Sequence, residues 1–198
     1  MGAGVIPFSV HNKQVCFLFQ TVFSGRKMGH LIDFGGGVNE GETHRQTAAR
    51  EFLEETETMF FAEGIEDIKA AAKIPSRVAR QLPIITKLFD HTLQQHPHWW
   101  CRREPGNKIP PKDWKTFFIE VEYQDLSVIN QEWAMEKGLQ TRFSKRRELH
   151  WIDADQLLFI YEHHPEKLWK RVRQLVNARM VIQMIKKEKI ISLTPDPL

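Results

Sequence analysis

Two early runs are rich in Val, Ile and Phe, Ala3 to Val10 and Val15 to Phe23, with His11-Asn12-Lys13 between them. That pattern predicts a β-hairpin. Pro7 has no backbone N–H to give a neighbour, which puts the first strand at an edge or a bulge. Ser24 to His30 is polar and holds glycine, so it reads as a loop. Leu31 to Phe34 reads as a short strand ending at Gly35, Gly36 and Gly37. Thr43 is a helix cap, and the helix it opens should run from His44 to about Thr56. Ala49, Phe52, Leu53, Thr56 and Phe60 fall at helical spacing and form its buried stripe.

Glu63 to Pro97 is helical in pattern, broken by Pro75 and Pro83 into two or three short helices. His98 to Arg103 is aromatic and basic. Glu104 to Asp113 holds three prolines and a glycine and reads as a loop. Lys115 to Tyr123 is a strand by its Phe117, Phe118, Ile119 and Val121. Ser127 to Arg142 fits neither period cleanly. Glu148 to Ile152 is a short strand, and Asp153 caps a helix through about Ile160. Pro165 starts a long terminal helix with Leu168, Val172, Leu175, Val176, Arg179, Ile182 and Ile185 along one side. The stretch 192–198 carries two prolines and reads as a frayed tail.

Strands therefore precede and follow the central helix. This predicts an α/β (α+β) fold, a mixed sheet with helices on both faces. The 198 residues suit one domain, 1–198, with 63–113 as an insertion. No apolar run is long enough to span a bilayer. Cys16 and Cys101 are too few for a disulfide framework or a zinc site, so a reducing, cytoplasmic setting is the default. The net charge of +3 is too small to argue for nucleic acid alone. It is unevenly placed, however. Acidic residues crowd Glu40 to Glu66, and basic ones crowd Arg142 to Arg147 and Lys167 to Lys189. The bland reading is a solvated surface. The sharper one is a basic rim drawing a polyanion to an acidic centre.

The chemistry concentrates on the central helix. Glu51, Glu54 and Glu55 stand at i, i+3 and i+4 and share one face. Carboxylates so close repel unless a cation sits among them. Hard oxygen ligands suit Mg²⁺ or Mn²⁺. A carbonyl of Gly36 or Gly37 is a natural further ligand, because glycine backbone can approach a metal or a phosphate closely. Arg50 is placed to orient one of the carboxylates, and Glu42 to hold the turn through Arg50.

The order is Gly36, five residues, Glu42, seven residues, then Arg50-Glu51-Phe52-Leu53-Glu54-Glu55. It resembles the Nudix box of the Nudix hydrolase superfamily. Six fixed letters recur by chance on the order of once in 10⁷ windows at average residue usage. Two positions depart from the pattern, Glu57 where the family has glycine and Thr58 where it has an aliphatic residue. That glycine would end the helix in a left-handed turn, so the helix is expected to run on toward Met59 or to exit differently. The likeness is tight from Gly36 to Thr58 and looser over 3–34 and 116–160. It implies a Nudix-like α/β/α sandwich and a metal-dependent pyrophosphohydrolase acting on a nucleoside diphosphate linked to another group. Glu51, Glu54 and Glu55, with Gly36, would hold Mg²⁺ or Mn²⁺. Glu51, Glu54 and Arg50 would serve catalysis, and Gly35, Gly37 and Glu42 would shape the turn. Family members place the base either in the box or on a distant loop, for which Glu120, Glu122, Glu132 and Glu136 are the candidates here.

Trp99, Trp100, Arg102 and Arg103 have the aromatic and basic character of a nucleotide contact. Packing of the tryptophans onto the sheet is the favoured reading. His96, His98, His163 and His164 fall in loops or at helix ends and are not read as ligands, and His91 to His98 has no supporting Cys or Asp at zinc spacing. The partner expected is a small nucleotide-type substrate, with no membrane; RNA and a homodimer are compatible. Two alternatives stand beside the main reading. One is a Nudix-type hydrolase of RNA 5′ ends or diphosphoinositol polyphosphates, favoured by the basic C-terminal residues. The other is a non-catalytic Nudix-fold binding module.

Overall fold

A computed structural model describes residues 1–70, 74–104, 113–135 and 146–192. Strands β1 (Gly2–His11) and β2 (Gln14–Val22) form the expected hairpin. Asn12 and Lys13 turn it with φ of 50° and 64°, the left-handed pair whose twist matches antiparallel strands. β1 then becomes the centre of a six-stranded mixed sheet. It runs parallel to β5 (Trp114–Glu120) and antiparallel to β3 (Phe34–Gly37). β4 (Trp100–Arg102) adds outside β5, and β6 (Arg147–Asp153) outside β2.

The prediction that Pro7 places β1 at an edge is corrected. Phe8 turns its carbonyl toward the β5 side, accepting from Val121 N at 2.9 Å, so Pro7 turns its nitrogen to the opposite side. There it falls between the β3 pairs, which end at Val5, and the β2 pairs, which begin at Phe8. The missing donor sits where no ladder bond is required. The strand expected over Leu31 to Phe34 also shifts: it starts at Phe34 and includes the glycines, while Leu31 and Ile32 make only isolated bridges.

Both faces of the sheet are apolar, so both are covered. Helices α1 (His44–Glu55), α3 (Ile74–Gln95) and α4 (Ser127–Met135) pack one face through Phe52, Leu53, Phe89, Ile129 and Trp133, against Val5, Leu18, Phe34 and Ile119. Helices α5 (Ala154–His163), α6 (Lys170–Arg173) and α7 (Ala178–Ile191) cover the other through Leu157, Val172 and Ile182, against Ile6, Phe17 and Phe118. This is the predicted α/β/α sandwich. A one-turn helix, α2 (Ile65–Lys69), links α1 to α3.

Three helix predictions change. α3 is continuous through Pro83, because the proline and Ala79, whose carbonyl it leaves free, both lie on the exposed side. Pro75 sits in its first turn, where proline is tolerated. The long helix from Pro165 is interrupted instead: a 3-10 turn at Pro165–Lys167, then α6, then a break at Asn177 with φ 62° before α7. The break turns Val176 half out and exposes Arg179, taking both from the predicted stripe. Ser127 to Arg142 resolves as helix over 127–135, and 136–142 lies outside the described residues, as does the predicted tail from 193. Among the described residues no helix is long and apolar enough to cross a membrane.

Candidate active site

Thr43 caps α1 as predicted. Its hydroxyl accepts from Gln46 N at 3.3 Å, and Gln46 Oε1 accepts from Thr43 N at 2.8 Å, a closed capping box. The cap aims α1 along β3, so Glu51 lies over Gly36. A Cβ on Gly36 would overlap both oxygens of Glu51, and one on Gly35 would overlap the β1 backbone at Ala3 and Gly4. Gly37 faces open space and needs no glycine for room.

Arg50 gathers the acidic side. Its Nη1 donates to Glu51 Oε1 at 2.9 Å and to Glu54 Oε2 at 2.8 Å, its Nε to Glu42 Oε1 at 2.7 Å, and its Nη2 to the Gly37 carbonyl at 3.2 Å. Glu42 also accepts from Thr47 Oγ1 at 2.8 Å and Asn39 N at 3.1 Å. These bonds, Arg50's first, push the Glu42 carboxyl down to about 2. Glu51 is pushed the other way: burial raises its pKa, then the charge on Glu55. Three carboxylates on one guanidinium leave this side with an excess of negative charge.

Glu55 turns to the sheet. Its Oε2 accepts from Gly35 N and from Gln20 Nε2, each at 2.8 Å, and Arg147 Nη1 lies 3.3 Å from its Oε1. Arg147 also donates to Gln20 Oε1. Behind the glycines, buried Asp33 accepts from Arg171 Nε at 2.7 Å, and Arg171 Nη1 donates to the Gly35 carbonyl at 3.1 Å. Gly35 is thereby held at both ends of its peptide, by Glu55 and by Arg171. The sequence reading missed Gln20, Asp33, Arg147 and Arg171. A lone Gln and a lone Asp inside apolar strand runs were the available signals for two of them.

The helix exit corrects the expectation raised by Glu57 and Thr58. α1 stops at Glu55. Thr58 N donates to the Leu53 carbonyl at 2.8 Å and Glu57 N to the Glu54 carbonyl at 3.1 Å, the pair of bonds of a Schellman stop. Glu57 takes φ 50° at the place of the missing glycine, and Thr58 follows at 60°. α3 holds this turn: Arg77 Nε donates to Thr58 Oγ1 at 2.8 Å, Gln81 Nε2 to the Thr58 carbonyl at 2.9 Å, and Arg77 Nη1 pairs with Asp67 at 2.5 Å.

The structure does not bring Trp99, Trp100, Arg102 and Arg103 to these carboxylates. β4 lies three strand spacings from β3, about 14 Å. Trp99 is buried and stacks on His96 with ring centroids 3.6 Å apart, Trp100 lies under Lys115 Nζ, and Arg103 binds Gln174. Glu120 pairs with Lys189 at 2.6 Å toward the opposite end of β1. Glu122 is exposed just past β5, Glu132 is half-buried on α4, and Glu136 lies outside the described residues. Among the described residues no group of three or more His, Cys, Asp or Glu side chains is arranged to hold a metal ion; Arg50 and Arg147 occupy the carboxylates instead.

No family model matches the chain. It is 42% identical over 62 residues to an uncharacterized protein, L534, of Acanthamoeba polyphaga mimivirus, a match over 30% of this chain and 20% of that protein. The chain therefore spans about a fifth of the length of that relative. Among solved structures it is similar to a C. elegans Ap4A hydrolase binary complex at 12% identity, covering 95% of this chain and 97% of that one, TM-score 0.44. It is similar also to a Nudix hydrolase from Alicyclobacillus acidocaldarius at 14% identity, over 96% and 90%, TM-score 0.44. A third is the Nudix hydrolase RenU of M. smegmatis at 14% identity, over 97% and 86%, TM-score 0.41.

Proposed function

We propose that the chain is a Nudix-type pyrophosphohydrolase that uses Mg²⁺ or Mn²⁺ to cleave a nucleoside diphosphate linked to another group. The observation that carries this reading is the seat of Glu51 against Gly36, with Glu54 and Glu55 on the same helix face. The donor types suit a hard divalent ion, which would take the place Arg50 and Arg147 hold between them: the carboxylates are largely buried, and Glu51 is pushed toward protonation by burial first and then by the charge on Glu55. Glu51, Glu54 and Glu55 would hold the ion, which supplies charge neutralisation and an activated water.

The chain's own residues do the rest. Arg50 fixes Glu51 and Glu54 relative to each other, and Gln20, Gly35 and Arg147 fix Glu55. Water oxygen bonds to phosphorus as the bridging P–O bond breaks, and the leaving phosphate keeps the bridging oxygen. The water's proton passes to Glu51 or Glu54. Part of the basic C-terminal region, which would favour RNA or an inositol phosphate, is engaged within the fold: Lys186 with Asp155, Lys189 with Glu120, Arg179 with Glu162.

The test is a panel of nucleoside triphosphates, nucleotide sugars, dinucleoside polyphosphates, NADH and capped RNA, each with Mg²⁺ and with Mn²⁺. Metal-dependent turnover of at least one small nucleotide is expected. Glu54→Gln should lower that turnover by roughly 10²-fold or more with an unchanged circular dichroism melt. Turnover that survives this change, or that ignores metal, defeats the assignment.

A further inference from the structure

The charge around Glu55 has the opposite sign to that around Arg50. Glu55 is paired with Arg147 and Asp33 with Arg171, and Lys27 lies near enough for the charges of all four to act on it. Arg171 is fully engaged with Asp33 and Gly35. Arg147 is not. It is only 8% exposed, and its Nη1 serves Gln20 and Glu55, yet its Nε has no hydrogen-bond partner among the described residues. A buried donor left unpaired is costly, and an oxygen from a ligand would relieve that cost. Lys27, on the loop after β2, stands 5.8 Å over the Trp169 ring and makes no ion pair among the described residues. At the start of β6, Arg146 lies 4.5 Å over the exposed Phe23 ring.

We propose that Arg147 and Lys27 form a phosphate subsite beside Glu55, and that it receives a phosphate beyond the scissile diphosphate. The substrate class is then a nucleoside polyphosphate with at least three phosphates in line, not a diphosphate joined to a neutral sugar. This rests on the pyrophosphohydrolase reading. The carboxylate side, with its metal, accommodates the scissile diphosphate. A neutral sugar on the other side would leave the cations facing one another and would give Arg147 Nε no charged acceptor. A phosphate answers both with strong, charge-assisted hydrogen bonds. Phe23 and Arg146 flank the same end of the sheet.

The test is calorimetric binding of inorganic tripolyphosphate and of pyrophosphate, each as its magnesium complex, to the full chain in excess Mg²⁺ and at constant ionic strength. The wild type should prefer tripolyphosphate by about tenfold or more. Lys27→Gln and Arg147→Lys, which keeps the charge beside Glu55 but removes Nε, should each shrink that preference to about threefold or less. Lys87→Gln, an exposed lysine on α3, should leave the preference unchanged. If Arg147→Lys does not fold, Lys27→Gln decides alone, since Lys27 is half-exposed. Equal affinity for the two anions, or an unaltered preference in Lys27→Gln, overturns the subsite. Turnover of a diphosphate-linked sugar without any tripolyphosphate preference sinks the subsite and spares the hydrolase. A strong preference without turnover of any substrate does the reverse.

Discussion

The two ends of helix α1 differ in where their partners come from. At the start, Thr43, Gln46, Glu42, Arg50 and Glu54 satisfy one another within a dozen residues of sequence. At the exit, the turn at Glu57 and Thr58 is held by Arg77 and Gln81, 19 and 23 residues beyond Thr58. The start is polar and faces the site, whereas the exit is buried beneath α3. One end is written as a local motif and the other as a tertiary contract between the exit of α1 and helix α3. The difference teaches that the left-handed exit of α1 and the helix α3 that packs on it are halves of one device. Two residues sit in left-handed backbone where a single glycine would serve, and α3 supplies the hydrogen bonds that keep them there.

That contrast can be broken from either side. The largest effect is expected from Arg50→Met, which leaves Glu42, Glu51 and Glu54 without their shared cation. Stability should fall by about 3–5 kcal/mol in urea titrations, with loss of turnover. Arg77→Met strips Asp67 and Thr58 of their buried partner and should cost about 2 kcal/mol, yet leave KM where it was. A KM that rises as steeply as in Arg50→Met would show that the two ends are not separable. Acid sharpens the comparison. Glu42 is held near 2 by Arg50, below an ordinary carboxyl of about 4.3, so its contribution is complete above the ordinary value and is lost as pH falls to about 2. Asp67 is depressed as well, first by Arg77. Glu42→Gln and Asp67→Asn should therefore each flatten the acid limb of a melting-temperature profile while leaving its shape above pH ~5 unchanged. The smallest effect is expected from Glu57→Gly. Relief of the left-handed backbone is worth about 1 kcal/mol, partly offset by the lost buried side chain, and the melt should move up slightly. A downward shift would mean that the Glu57 side chain outweighs its backbone.

What was legible in the sequence follows the same division. The hairpin, the capped helix and the crowding of Glu51, Glu54 and Glu55 all rest on spacing within a few residues. The three-layer fold could be read from strands on both sides of one amphipathic helix and a second helical stretch closing the chain. Gln20, 35 residues from Glu55, and Arg147, 127 residues from Gln20, could not be paired from spacing. Strand order alone brings them together: β2 lies beside β6, and Val22 pairs in register with Arg147. Pro83 misled because a helix break was inferred without knowing which side faces water. Trp99 packs on the sheet and Trp100 lies under Lys115, as large aromatic side chains beside a strand favour. β4 joins the sheet at the edge far from Gly36, a placement that composition does not encode.

The buried bond between Asp33 and Arg171 also sets an order in time. Its two residues are 138 positions apart, so a chain growing from its N-terminus carries the glycine strand long before the residue that neutralises it. Until α6 docks, closing the sheet over Asp33 would strand a carboxylate away from water, at a cost of several kcal/mol. The residues of α1 are synthesised early, but the seat they need is finished late, and the proposed hydrolase activity should be among the last properties the folding chain acquires. Refolding followed in parallel by circular dichroism and by turnover would reveal that lag, and simultaneous recovery of the two signals would refute it.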